Sequence, residues 1–275
     1  VLPNMTWAVI VRSEVAHGII NRINTDEVAE APGFVAVLTG ADMQADGING
    51  LPCGWQVDFK NGDTMLEPAH PALAFGKVRY VGEAVAVVIA ETREQAVDAA
   101  ELVEVDYEEL PAVVDVLKAT QEGAAQLFDD VPNNIAFDWE LGDKAAADAG
   151  IDAADHVTTI EFRNQRLICN AIEPRAAIGD YDESREHYTL YTTSQNPHLV
   201  RLLMCAFVMG IPEHKVRIVS PDVGGGFGSK IPNYAEEVIV TWASRRICRP
   251  VKWTATRSES FLSDTHGRDH ATKAE

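Results

Sequence analysis

Apolar and polar positions follow two rhythms along this chain, and those rhythms predict its elements. Residues 8–11 form a short apolar run, and residues 34–38 form another that ends at Thr39-Gly40. Both predict strands. Residues 25–31 predict a brief helix, stopped by Pro32-Gly33. Residues 49–74 are rich in Gly, Pro, Asn and Asp and predict a loop. Residues 84–90 (Ala-Val-Ala-Val-Val-Ile-Ala) are apolar without interruption, the pattern of a strand covered on both faces. A helix follows. Thr92 can cap it and Gln95 lies three residues on, a capping box. Ala96, Ala99, Ala100 and Val103 then recur on one helical face. Val103, Val105 and Tyr107 alternate with acids and predict a strand ending near Pro111. Strand, helix and strand at this spacing make a compact α/β unit.

The pattern weakens over residues 118–154, which read as a linker. Strands resume at 157–162 and 188–193. Asn196 and Pro197 then suit the N-cap and first position of a helix that Gly210 can close. Residues 199–208 are apolar nearly all round, so this helix is expected to be buried. Residues 216–219 predict a strand. A second helix is expected near Asn233, with Glu236 in capping-box position.

Between that strand and that helix lie Gly224, Gly225, Gly226, Phe227 and Gly228. Four glycines in five positions give a backbone free to adopt positive φ and to approach a ligand closely. Its N–H groups can face an oxyanion or the polar edge of a cofactor. The spacing fits neither a dinucleotide fingerprint nor a Walker A loop. A tight turn without a ligand uses the same residues, and the residues alone leave that alternative open.

Composition narrows the picture. A net charge of -19 disfavours nucleic acid and anionic membrane surfaces. No apolar run reaches the roughly 18 residues of a membrane span. Cys53, Cys169, Cys205 and Cys248 form no CxxC pair, so no iron–sulfur cluster or structural zinc is expected on this chain. Dispersed cysteines fit a reducing, cytoplasmic setting. His17, His198 and His266 show no ligand spacing, and structural roles are expected for them. The abrupt ends read as those of a segment of a longer protein.

An ordered set of short motifs adds a resemblance. Arg12-Ser13, residues 32–40, residues 78–83 and residues 105–111 lie in the first half. Glu173-Pro174-Arg175, residues 194–198, the glycine loop, residues 249–253 and residues 266–269 lie in the second. In this order they resemble the large subunit of molybdenum hydroxylases, the family of xanthine dehydrogenase, aldehyde oxidase and aerobic carbon monoxide dehydrogenase. The resemblance spans almost the whole chain. It implies an α+β chain: an N-terminal α/β hammerhead domain over residues 1–117, a linker over 118–154, and over 155–275 the first part of an α+β molybdopterin-binding domain. It implies an oxidoreductase that hydroxylates a small aldehyde, N-heterocycle or related substrate, carbon monoxide included, with water as oxygen source. The cofactor would be a molybdenum–pterin, either molybdopterin or its cytosine dinucleotide. An FAD-binding medium subunit and a small subunit with [2Fe-2S] clusters would be partners, in a dimer of heterotrimers. By resemblance, Gln195 is the glutamine that hydrogen-bonds an oxo ligand of the metal, and Gly224, Gly225, Gly226, Phe227 and Gly228 bind the cofactor. Read from the residues alone, Gln195 is better taken as a strand-end amide bonded to backbone.

Two departures qualify this. Purine-hydroxylating members follow the glycine loop with Gly-Lys-Glu. Here the run is Ser229-Lys230-Ile231, so a purine would lose a polar partner. The family's catalytic glutamate base lies far beyond residue 275, so this segment alone is expected to be inactive. A non-catalytic binding or assembly protein that keeps the fold is the alternative reading.

Overall fold

The computed structural model describes residues 1–68 and 70–275. In chain order the strands and helices are β1 (Thr6–Arg12), β2 (Gly18–Asn24), β3 (Phe34–Thr39), α1 (Gly40–Ala45), β4 (Lys77–Val78), β5 (Ala84–Ala90), α2 (Arg93–Ala100), β6 (Glu104–Glu109), α3 (Lys144–Asp152), β7 (Ile160–Asn164), β8 (Ala176–Asp182), β9 (His187–Thr192), α4 (Pro197–Leu203), β10 (Val216–Val219), α5 (Ala235–Ile247), β11 (Val251–Thr254), α6 (Arg257–Ser263) and β12 (His270–Ala274).

The larger compact unit comprises residues 1–54, 70–111 and 169–265. Its main sheet has seven strands in the order β10-β9-β8-β11-β1-β5-β3. β5 runs antiparallel to both β1 and β3, and all seven of its residues are buried. This is the covered strand that its unbroken apolar run predicts. Alternate β5 side chains serve different cores, as a two-residue period requires. Val87 and Ile89 pack in a cluster with Val238, Ile239 and Trp242 of α5 and with Trp253 of β11. Val88 packs with Ala99 of α2 and with Val28. Helix α5 lies directly on β8. A Cβ at Gly179 would run into the Val240 backbone, so only glycine fits there. A smaller sheet, β4-β2-β6, completes the unit.

The second unit comprises residues 55–68, 112–168 and 266–275. It holds the antiparallel pair β7 and β12, with Phe162 opposite Thr272, and helix α3.

Most expected elements are present, and several differences have physical causes. Residues 25–31 form only a single 3-10 turn at Val28–Glu30, because too few residues precede Pro32 to nucleate a longer helix. The expected linker contains α3, capped by Asp143, whose Oδ1 accepts from the Ala146 N–H at 2.9 Å. The apolar helix after Asn196 changes character: α4 passes into a π-helical turn at Met204–Met209, closed by Gly210 in the left-handed conformation. Asn196 makes no side-chain cap there. Helix α5 begins at Ala235, and its capping box uses Glu237 rather than Glu236. Part of the 49–74 loop, residue 69, lies outside the described residues. The compact units also divide the chain differently from the boundaries at 117 and 155. One sheet takes β1, β3 and β5 from before them and β8 to β11 from after them, joined by the parallel pairing of β1 with β11.

Candidate functional site

β9 and β10 are parallel neighbours, so their C-terminal ends open on the same side of the sheet. Gln195 follows β9, and the glycine loop follows β10. In open α/β sheets, ligands collect outside the C-terminal ends of parallel strands.

Gln195 is exposed, yet its amide is held. Its Oε1 accepts from the N–H groups of Gly228 at 3.0 Å and Lys230 at 3.2 Å. Its own N–H donates to the Lys230 carbonyl at 2.8 Å. Two N–H donors must face an oxygen, which fixes the amide orientation on chemical grounds. Among the described residues the Nε2 group donates to no protein acceptor, so it remains an uncharged donor. Gln195 thus does bond backbone, as its strand-end position allows, and still offers its NH₂ outward.

The loop has the geometry that its composition permits. Gly225 and Gly228 have φ of 99° and 95°, in the left-handed region that favours glycine. Phe227 also sits there, at φ 52°, with its side chain 75% exposed. Gly224 and Gly226 are needed for space instead: a Cβ on Gly224 would overlap Glu173, and one on Gly226 would overlap the Gln195 amide. Among the described residues, the N–H groups of Gly225, Gly226 and Phe227 donate to no protein acceptor. The Phe227 carbonyl accepts from Cys169 Sγ at 3.2 Å.

Several supporting residues carry no assignment from sequence. Glu173 Oε2 accepts from the Gly224 N–H at 2.8 Å and from Lys230 Nζ at 2.8 Å. Lys230 is buried, and its ammonium also donates to the Glu173 carbonyl at 2.9 Å. Burial pushes the Glu173 carboxyl up, but Lys230 and the Gly224 N–H outweigh it and hold the group below the usual carboxylate range. Tyr234 donates from its hydroxyl to the Ser229 carbonyl, and its ring lies under Arg175, 3.7 Å from ring centroid to guanidinium.

Arg175 anchors a buried ionic network behind the loop. It pairs with Glu236 at 2.6 Å and Asp264 at 2.6 Å. Arg12 joins from β1, to Glu236 at 2.6 Å and Glu259 at 2.7 Å. Burial alone would raise the Glu236 carboxyl, but Arg175 and Arg12 pull it down to about 2. Glu237, also buried, is pushed above its ordinary range by desolvation despite accepting from Thr192. His17 stands apart from this site and bonds the Pro111 carbonyl at 2.9 Å. Ile231, the departure from the purine-binding pattern, is 43% exposed at the end of the loop.

Comparison with known proteins adds to this geometry. Residues 1–111 match the aldehyde oxidase and xanthine dehydrogenase a/b hammerhead domain, and residues 127–275 match the molybdopterin cofactor-binding domain. The carbon monoxide dehydrogenase large chain of Afipia carboxidovorans is 34% identical over 281 residues, covering 98% of this chain and 33% of that one. The nicotine 6-hydroxylase large subunit of Paenarthrobacter nicotinovorans is 33% identical over 264 residues, covering 95% of this chain and 31% of that one. The crystal structure of quinoline 2-oxidoreductase from Pseudomonas putida 86 superposes with a TM-score of 0.88 at 35% identity, over 98% of this chain and 33% of that one. The chain spans about a third of the length of the curated relatives it matches.

Proposed function

The chain belongs to the molybdopterin cofactor-binding family, with an α/β hammerhead domain ahead of the cofactor-binding region, and from that premise we propose that it is part of the large subunit of a molybdenum hydroxylase. The observation that carries the reading is the Gln195 amide. Its carbonyl is saturated by two loop N–H groups, and its NH₂ is left to donate outward.

The residues present fit a molybdenum–pterin, whether molybdopterin or its cytosine dinucleotide. Gln195 would hold its metal end, and Gly224, Gly225, Gly226, Phe227 and Gly228 would hold it along the loop. A glycine cradle that any Cβ would fill at two positions, with three N–H groups unspent, suits a polar cofactor at close range. When bound, the cofactor supplies the two-electron oxidation, with water as the oxygen source. The chain's own residues position it and donate hydrogen bonds without adding charge. Phe227 presents an apolar face beside those donors.

The substrate is a small aldehyde, an N-heterocycle or carbon monoxide. Ile231 offers no polar partner to a purine edge, which disfavours xanthine. The partners are an FAD-binding medium subunit and a small subunit with [2Fe-2S] clusters, in a cytoplasmic dimer of heterotrimers. Among the described residues no helix is long and apolar enough to cross a membrane.

The test is the molybdenum and pterin content, per polypeptide, of the natural full-length protein purified with its partners. A stoichiometric amount of both is expected. A complex that contains neither would overturn the proposal.

A further inference from the structure

Glu173 grips the glycine loop at both ends. Its N–H donates to the Gly224 carbonyl at 3.2 Å, and its carboxylate accepts from the Gly224 N–H at 2.8 Å. The same carboxylate oxygen accepts from Lys230 Nζ at 2.8 Å, and the Glu173 carbonyl accepts from that ammonium at 2.9 Å. Lys230 is six residues beyond Gly224, so one side chain closes the loop that holds Gly225, Gly226, Phe227 and Gly228. The closure is tight, because a Gly224 Cβ would overlap the Glu173 Cβ.

Lys230 also connects this clasp to the amide. Its N–H is one of the two donors on Gln195 Oε1, and its carbonyl accepts the Gln195 N–H. Moving Lys230 therefore moves the groups that orient the Gln195 NH₂. The ion pair is well placed for such a task. The ammonium side chain is 2% exposed and its carboxylate partner 34% exposed. With the ammonium held between the Glu173 carboxylate and the Glu173 carbonyl, the side chain ties the backbone at residue 230 to that at residue 173.

We infer that Glu173 and Lys230 form a positioning clasp that sets the Gln195 donor and the three unspent loop N–H groups in register for the cofactor. The inference rests on the proposed function and deepens it: neither residue touches substrate, and both act through Gln195 and the loop.

The experiment uses the full-length enzyme in its natural complex. Lys230→Met keeps an unbranched side chain about one atom shorter and removes its donors. Glu173→Gln keeps the shape and removes the charge, and serves where Lys230→Met does not fold. Lys230→Arg restores a cation. Three readouts are taken: backbone hydrogen exchange of peptides covering residues 222–231, pterin per polypeptide, and steady-state kinetics. The clasp predicts faster loop exchange in Lys230→Met and Glu173→Gln. It also predicts a fall in kcat of about tenfold to a hundredfold with KM nearly unchanged, as expected for reacting groups displaced by an ångström or less. Lys230→Arg is expected to recover most of both effects. Unchanged loop exchange and unchanged pterin content in Glu173→Gln and Lys230→Met would overturn the clasp, even where Gln195→Ala remains impaired. A Gln195→Ala enzyme with full turnover would overturn the underlying reading of the site instead.

Discussion

An amide whose oxygen accepts two main-chain N–H bonds cannot turn without breaking both, so the direction of the Gln195 NH₂ is set by the loop. This separates two contributions that a simple truncation would merge. Gln195→Ala removes the donor and loosens the loop. Gln195→Glu keeps an oxygen for the two N–H groups and puts a charged carboxylate oxygen in place of the NH₂ donor. Both variants are expected to lower kcat of the full-length enzyme by about a hundredfold, the scale of one lost preorganised donor. Circular dichroism should show an intact fold, and Glu should keep the loop as protected from hydrogen exchange as in the wild type. Turnover within twofold of wild type in Gln195→Glu would mean that the free NH₂ does no work. Gly226→Val should act earlier, by preventing cofactor incorporation, read as pterin per polypeptide. The reason is room rather than conformation: Gly226 lies outside the left-handed region, and an added Cβ overlaps the Gln195 amide. Gln195 and the loop are legible in the sequence because they form contiguous motifs. Glu173 and Lys230 stand 57 positions apart, and a long-range ion pair leaves no periodic trace in a chain.

Helix α5 shows how one residue of register decides which acid does what. Its capping box is closed by Glu237, whose Oε2 accepts from the Tyr234 N–H at 2.9 Å. The neighbouring Glu236 is turned by about 100° around the helix, into the interior between Arg12 and Arg175. The sequence pattern pairs Glu236 with a cap at Asn233, but the helix starts one residue later, so the expected register placed Glu236 in the wrong role. Other elements escaped for equally local reasons. β8 is Ala-Ala-Ile-Gly-Asp-Tyr-Asp, a weak strand pattern whose glycine exists to admit α5. β11 has only four residues. β5 and α2, by contrast, follow from an unbroken apolar run and a capping box that both appear as expected. A consequence of the Glu236 environment can be measured. Its carboxyl falls from 4.5 to about 2 on folding, so the folded state binds its proton less readily than the unfolded chain. The stability from this shift, on the order of 3 kcal/mol, is fully present above about pH 5 and is lost as pH falls towards about 2. Glu236→Gln should therefore lower the urea midpoint markedly at pH 7, since it leaves two buried guanidinium groups short of a counter-charge. The gap between wild type and variant should narrow steadily as the pH is lowered through 4. A gap that stays constant from pH 7 to pH 3 would contradict the ionic assignment. The difference between the two proteins is the quantity to follow, because Glu237 is shifted the opposite way and opposes the trend in either protein alone.

At the scale of the molecule, the seven-stranded sheet makes the hammerhead segment and the start of the cofactor-binding segment interdependent. β1 has β5 from its own half on one side and β11 from the other half on the other. The core above that junction is mixed as well. Ala8, Ile10, Val87 and Ile89 meet Val238, Ile239, Trp242, Val251 and Trp253, and each of these is at most 6% exposed. Arg12 of β1 adds an ionic tie to Glu236 and Glu259 from the later half. Residues 1–111 produced alone would keep β5 but uncover one edge of β1 and the large apolar face that α5 covers. Residues 112–275 alone would uncover α5 and the partner edge of β11. Exposed apolar faces of that kind associate, and a net charge of -19 on the whole chain does not remove them. The two pieces are therefore expected to be aggregated or loosely packed when made separately, with strong binding of a hydrophobic dye. They are expected to form a soluble one-to-one complex when produced together. Size-exclusion chromatography and near-ultraviolet circular dichroism distinguish the outcomes. Two well-folded monomers from separate expression would show that each half closes its own core, and that the shared sheet is a docking contact between independent domains. A complex formed only on co-expression would show that the loop and Gln195 stand on a scaffold that neither half builds alone.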